Sequence, residues 1–303
     1  MPKLVAVTGA TGFIGHALMS KLVKDGWKVR ALTRTVRSDS ESIRWIQGDL
    51  DNSIALHHLV DGVAYVIHCA GAVRGNSYNE FAQTNITGTQ NLLSALSEQT
   101  QSLRFLLISS LAARQPELSW YAKSKYLAEQ KVSESIGDRP WTIFRPTAVY
   151  GPGDKELKPL FQATRRGILP VVGKTDNRFG LIHVDDLIAA IQLWLVSDSP
   201  INGTYELDDG TPGGYSYQSL AALAERVWER PVRCITIPSS LIRGISILNL
   251  WLSRQFHYSP MLTPGKVNEL QHCDWVCNNT PLTHALPAWQ PSIRLQESLP
   301  QVI

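Results

Sequence analysis

Between an apolar run of strand type, Leu4–Val7, and a stretch with apolar residues at helical spacing, Phe13–Lys24, stands Thr8-Gly9-Ala10-Thr11-Gly12-Phe13-Ile14-Gly15. A glycine triplet alone constrains little. After a strand and before an amphipathic helix it constrains a great deal, because three demands meet there: a tight turn, close approach of backbone to a pyrophosphate, and close helix–strand packing. The helix start then aims its unpaired N–H groups at the phosphates. Gly9, Thr11, Gly12, Phe13, Ile14 and Gly15 are read as a dinucleotide-binding turn, the alternative being a plain glycine turn.

The elements that follow keep the same alternation. Lys28–Thr33, Ile43–Gln47, Ala64–Cys69, Phe105–Ser109 and Trp141–Arg145 read as strands, and Tyr78–Ser97 and Tyr121–Ser135 as helices between them. Ala64–Cys69 is apolar throughout, as a central strand of a parallel sheet would be. The expected fold is α/β, a Rossmann-type doubly wound parallel sheet with a smaller C-terminal substrate-binding domain. Gly151-Pro152-Gly153 marks the change of pattern. Residues 1–150 are assigned to dinucleotide binding and 151–303 mostly to substrate, with 181–207 returning to the first domain.

The tip of the second strand selects between nicotinamide cofactors. A carboxylate there would hold a ribose 2′-hydroxyl; here Leu32-Thr33-Arg34 is followed by Arg37, and no acid occurs before Asp39. A guanidinium suits a 2′-phosphate and stacks on adenine. NADP(H) is therefore expected over NAD(H), unless Arg34 is only a solvated loop charge. Asp49, in Gly48-Asp49-Leu50, can accept from the adenine amino group or cap the next helix. Small residues Ala70 and Gly71 end the fourth strand and leave room for the cofactor.

Tyr121 and Lys125 stand at i and i+4, on one face of a helix. A phenol titrates near 10, too high for proton exchange at neutral pH, and a neighbouring ammonium is expected to lower it. Ser110, at the end of the fifth strand, can donate to a substrate oxygen. The three together make a general acid with electrostatic support.

These motifs resemble the extended short-chain dehydrogenase/reductase superfamily, the NAD-dependent epimerase/dehydratase-like family. The resemblance rests on Thr8–Gly15, Gly48–Leu50, His68–Gly71, Thr84–Thr89, Ser109–Ser110, Tyr121–Lys125, Arg145–Thr147, Val149–Gly153 and Ile182–Asp186. It spans about residues 4–190 and is loose over the last hundred. It implies that Ser110, Tyr121 and Lys125 are catalytic. Asn85 is implied near the active site, or else is a buried polar tie between helix and strand. Pro146 and Val149 would border the nicotinamide, Tyr121 and Lys125 would touch the cofactor, and His183 would sit at a structural turn. Helices Tyr78–Ser97 and Tyr121–Ser135 resemble those of a four-helix dimer interface, so a homodimer is expected.

Within that superfamily, Leu111-Ala112-Ala113 lacks the Asp–Glu pair of the sugar dehydratases, and Arg34 opposes an NAD-retaining epimerase. Hydride transfer between the nicotinamide and a carbonyl or secondary alcohol of a small, lipophilic substrate is the expected reaction. A nucleotide-sugar epimerase, and a non-catalytic NADP-binding regulator or accessory subunit, are the alternatives. Leu241–Leu252 reads as a helix with a narrow polar stripe of Arg243, Ser246 and Asn249, and Trp251, Phe256 and Tyr258 add aromatic surface. It is a core or dimer helix, a lid over a lipophilic substrate, or a membrane-surface contact.

Composition narrows the rest. A chain of 303 residues that is 44% hydrophobic can bury one large core or two unequal ones. A formal net charge of +3, with no block of like charge, gives no reason to expect nucleic acid. Four irregularly spaced cysteines, Cys69, Cys234, Cys273 and Cys277, make neither a disulfide framework nor a convincing metal set. Met1-Pro2-Lys3 runs straight into a strand, and no stretch reaches the ~20 apolar residues of a membrane span. A cytoplasmic protein without a signal peptide or transmembrane segment is expected.

Overall fold

The computed structural model describes residues 4–101 and 103–302. The chain opens with β1 (Leu4–Thr8), α1 (Phe13–Lys24), β2 (Lys28–Thr33), β3 (Ile43–Gln47), α2 (Ser53–Val60) and β4 (Tyr65–His68). It continues through α3 (Tyr78–Phe81), a π-helical segment Ala82–Thr87, α4 (Gly88–Ser97), β5 (Arg104–Ile108), α5 (Trp120–Ser135) and β6 (Trp141–Pro146). Then come β7 (Ala148–Tyr150), α6 (Lys158–Arg165), β8 (Ile168–Val172), β9 (Arg178–Phe179), β10 (Leu181–His183), α7 (Val184–Val196) and β11 (Gly203–Leu207).

Seven strands form one parallel sheet in the order β3-β2-β1-β4-β5-β6-β11. The chain winds one way from β1 to β3, then crosses to β4 and winds the other way. The reversal leaves a crevice at the carboxyl ends of β1 and β4, where Thr8 and His68 stand in register. Period-two alternation explains why both faces are covered. Val5 and Val7 pack into a core with Leu18 and Leu22 of α1 and Leu187 and Ile191 of α7. Ala6, between them, points into the opposite core with Leu56, Leu92 and Val132. The α/β doubly wound fold is as expected from the sequence. β11, the last edge strand, and α7 both come from beyond residue 151.

Beyond the sheet lie β12 (Tyr215–Ser216), α8 (Tyr217–Trp228), β13 (Arg233–Ile237), α9 (Ser239–Phe256), α10 (Pro264–Gln271) and β14 (Asp274–Trp275). β13 pairs with β8, and a separate core gathers Tyr150, Phe161, Leu169, Val171 and Leu220.

Three local readings need correction. The helix expected over Tyr78–Ser97 is continuous but carries the π segment, which widens it where Asn85 is buried. α2 is not preceded by a capping Asp49: Asn52 caps it by accepting from Ala55 N at 3.0 Å, and Asp49 instead accepts from Asp51 N at 3.0 Å. The apolar helix expected over Leu241–Leu252 extends over Ser239–Phe256 and is no core helix, since only Ile242, Ser246 and Ser253 are buried in it.

Candidate active site

The glycine turn is built so that no side chain fits. Gly9 has φ +69°, and a Cβ there would lie 2.5 Å from Ala70 N, so β1 and the end of β4 touch through bare backbone. A Cβ on Gly15 would lie 2.0 Å from Gly9 O, which brings α1 directly onto the turn. Gly12 occupies the N-cap of α1 without a side chain to satisfy the first-turn N–H groups. Those donors face outward, since Thr11 and Gly12 are exposed, while Phe13 and Ile14 are half-buried. Arg34 is exposed just past β2, whereas Arg37 is held over the Trp45 ring at 5.0 Å. Asp49 is exposed, and Leu50 is buried against Gly88, where a Cβ would come within 2.5 Å of it.

Asn85 is fully engaged by protein. Its Oδ1 accepts from Ala72 N at 2.7 Å, and its Nδ2 donates to Ala72 O at 3.1 Å and Ser124 Oγ at 2.8 Å. It ties the Ala70–Gly71–Ala72 loop to α5.

α5 is capped by Ser119, whose Oγ accepts from Ala122 N at 2.9 Å. Its first turn delivers Tyr121 and its second Lys125. Ser110 Oγ accepts from Ala112 N at 3.2 Å, and its hydroxyl stands near enough to the Tyr121 phenol to draw the phenol's pKa down. Neighbouring Ser109 turns away and donates to Glu129, the carboxylate that also binds Arg145. The pair Ser109-Ser110 is thus split, with Ser109 tied to the framework and Ser110 set against the phenol. Lys125 is buried; its Nζ donates to Ile108 O at 2.8 Å, and burial lowers its pKa to about 8 against the opposing pull of Glu129.

Burial raises the Tyr121 phenol above its ordinary value; Ser110 acts against that, Glu269 adds to it, and Lys266 is a cation that opposes it. Sequence reasoning missed this lysine. Burial acts to lower Lys266, but Glu269, 2.9 Å away, carries it above the ordinary lysine value. Glu269 also accepts from Ser119. Asn268 Nδ2 donates to Leu118 O at 3.1 Å, and a Cβ on Gly265 would lie 2.9 Å from Ser119 Cβ. α10 is therefore pressed onto the start of α5, beside Tyr121. No motif announces a contact between residues so far apart in sequence.

Ser110, Tyr121, Pro146, Val149 and Lys266 all line one cleft of about 1060 Å³. Most of the remaining wall is apolar, including Leu157, Val172, Leu181, Leu250, Leu262 and Trp275. His183 lies at the turn into α7, where its ring accepts from Asp185 N at 3.2 Å. Burial pushes the Cys69 thiol up to about 12, which leaves no thiolate beside the site. Among the described residues no three His, Cys, Asp or Glu side chains gather to hold a metal ion.

Comparison with known proteins bears on the family and the fold. A model of the NAD dependent epimerase/dehydratase family matches residues 5–207. Ceramide reductase of Caulobacter vibrioides is 35% identical over 294 residues, which cover 94% of this chain and 89% of that protein. The 2-alkyl-3-oxoalkanoate reductase of Stenotrophomonas maltophilia is 30% identical over 300 residues, covering 89% of this chain and 90% of that one. The crystal structure of UDP-glucuronic acid 4-epimerase from Bacillus cereus, in complex with UDP-glucuronic acid and NAD, superimposes with a TM-score of 0.77. It is 18% identical, covers 99% of this chain and 97% of its own, and shares the fold.

Proposed function

The chain belongs to the NAD dependent epimerase/dehydratase family, and from that membership we propose that it reduces the carbonyl of an alkyl-bearing, lipophilic molecule to a secondary alcohol with NADPH. It is an enzyme of the nicotinamide-dependent dehydrogenase and reductase class. The Cβ-free cradle at Gly9 and Gly15 and the uncapped start of α1 fit a pyrophosphate. Gly9, Thr11, Gly12, Phe13, Ile14 and Gly15 would hold it, and Arg34 the 2′-phosphate. Asp49 and Leu50 would border the adenine. Ala70, Gly71, Pro146 and Val149 would flank the nicotinamide half, with Lys125 on its ribose. In this reading residues 1–150 with 181–207 bind the dinucleotide, and the remainder of 151–303 shapes the substrate side.

Bound there, NADPH supplies the hydride that adds to the carbonyl carbon. Tyr121 gives its phenolic proton to the carbonyl oxygen as the C=O double bond becomes a single bond. Ser110 holds that oxygen within reach of the phenol. A phenol kept high by burial stays protonated across neutral pH, as a proton donor must.

The observation that carries this reading is that Ser110 and Tyr121 stand together on the wall of a large, mostly apolar cleft. Two relatives are named ceramide reductase and 2-alkyl-3-oxoalkanoate reductase, and both names join reduction to a molecule with alkyl chains. The test is NADPH oxidation against a panel of long-chain ketones, β-keto acids and β-keto amides, beside UDP-sugars. A ketone should be reduced, and Tyr121→Phe should lower its turnover by about 10²–10⁴ while NADPH still binds. Epimerised UDP-sugars with no ketone reduced would replace this reading by the epimerase. NADPH binding with no turnover at all would replace it by a regulator or accessory subunit. A homodimer through the helical stretch Tyr78–Ser97 and α5 belongs to the same proposal, and sedimentation equilibrium tests it.

A further inference from the structure

The segment from Arg230 to Asn268 is unlike the rest of the chain in charge. It holds five of the 29 cationic residues and none of the 26 acidic ones, a charge of +5 against −2 for the remainder. Its centre is α9, which spans 18 residues, or about 27 Å. One face of α9 is fixed to the protein by Ile242, Ser246 and Ser253, with Asn249 Nδ2 donating to Leu262 O at 2.8 Å.

The remaining faces are apolar and uncovered. Leu241, Ile245, Ile247, Leu248, Trp251 and Phe256 are each 46–72% exposed. Single exposed apolar residues are ordinary, but six on one helix make a patch that calls for a partner. Arg243 and Arg254 are eleven residues apart, three helical turns, and so stand in one line along the flank of that patch. Arg254 also donates to Asn76 O at 3.2 Å. The patch is continuous with the cleft. Leu250 of the same helix lines the cleft, and so does Met261, which is 39% exposed to solvent.

We propose that α9 docks on an anionic lipid bilayer, with its exposed apolar face sunk into the headgroup and acyl boundary and the cleft mouth opening beside the lipid. A helix with aromatic and aliphatic residues on one side, arginines on its flank and no acid has the chemistry of an in-plane interfacial helix. The complementary surface is anionic, and Arg243 and Arg254, on a helix without a carboxylate, gain from it. The inference rests on the reading that the cleft takes an alkyl-bearing carbonyl, because such a substrate resides in the bilayer and would enter at Met261 without crossing water. A second copy of the chain is the other occupant of an apolar face, and Arg243 and Arg254 meeting the arginines of that copy would oppose it.

The experiment is flotation of the full chain with vesicles of phosphatidylcholine alone and with one-third phosphatidylglycerol. The wild type should float with the anionic vesicles and bind the zwitterionic ones at least several-fold less. Leu248→Asp with Trp251→Asp should lower binding at least tenfold. Neither residue lines the cleft, so NADPH binding and turnover of a short, water-soluble ketone should be unchanged. Arg243→Glu, a surface change without risk to folding, should weaken binding to anionic vesicles only. A wild type that does not float with anionic vesicles overturns the proposal. So does a dimer in sedimentation that the Leu248 and Trp251 changes dissociate, which would assign the face to a second copy. Flotation that depends on the patch, with no ketone reduced, would uphold docking and overturn the reductase reading instead.

Discussion

His68 gives the structure an acid sensitivity that can be worked through. It ends β4, fully buried, with Nδ1 2.6 Å from Thr8 Oγ1 and Nε2 3.0 Å from Thr89 Oγ1. The hydrogens can be placed by counting donors. Thr89 Oγ1 spends its single hydrogen on Asn85 O at 2.6 Å, so His68 Nε2 must donate to Thr89. His68 Nδ1 then accepts from Thr8, whose oxygen in turn accepts from Ala70 N at 3.3 Å. The imidazole is neutral and every partner is satisfied. Burial, helped by the Lys125 charge, lowers its pKa from 6.5 to about 3. The unfolded chain takes up a proton below pH 6.5 and the folded chain does not. The stability His68 contributes is therefore complete above 6.5 and lost as pH falls towards 3, at about 1.4 kcal/mol per pH unit. The loss reaches about 5 kcal/mol at the lower limit, comparable to the ~5–15 kcal/mol of a whole domain. The assay is urea unfolding followed by tryptophan fluorescence, in wild type and His68→Gln, from above pH 6.5 down to about pH 5. The difference between the two should shrink by about 2 kcal/mol over that range. Parallel profiles would refute the neutral, buried assignment.

Further outcomes follow from the site itself. Gly15→Ala should abolish NADPH binding, because its Cβ would meet Gly9 O at 2.0 Å and neither backbone can yield without opening the turn; isothermal titration checks it. Arg34→Asp should invert the expected preference for NADPH over NADH, and an unchanged ratio of dissociation constants would assign Arg34 to solvent. Lys266→Met should move the alkaline limb of the kcat/KM profile for reduction to higher pH. The change removes a charge that lowers the Tyr121 phenol and leaves Glu269, which raises it, without its partner. A limb that stays in place would make Lys266 a structural contact of α10.

What could be read from the chain divides by distance along it. The glycine triplet, the strand alternation and the Tyr121–Lys125 spacing each lie within one or two elements, so a pattern of 2 or 3.6 residues exposes them. The doubly wound sheet and the family membership followed from such patterns. Where a helix rests on its neighbours is not a local property. α9 could be read as an apolar helix, but which of its sides is covered depends on α10 and the segment at Leu262, and most of it turned out to be bare. α2 lacked a signal because its eight residues include two histidines and give a short, weak period. The π segment lies inside a well-formed helical pattern, and one extra residue per turn leaves that pattern almost unchanged.

The same division explains why the sequence offers motifs for one wall of the cleft and none for the other. Thr8, His68, Ile108 and Pro146 all stand at strand ends on one edge of the sheet. A parallel sheet delivers its loops to one edge, whatever those loops carry, so Ser110 and the Gly71 loop arrive together for reasons of topology. The opposing wall has no such guarantee. α10 reaches Tyr121 through Glu269 on Ser119, Asn268 on Leu118 and the missing Cβ of Gly265, contacts between segments about 150 residues apart. A change in that wall, such as a bulky residue at Gly265, would displace Lys266 and reshape the cleft while leaving the Ser110–Tyr121 pair in place. Substrate choice can therefore drift in α9 and α10 without disturbing the proposed proton donor, Tyr121. This predicts that Gly265→Val alters KM across a ketone panel far more than it alters NADPH affinity. Equal losses in both would show that α10 supports the dinucleotide site as well.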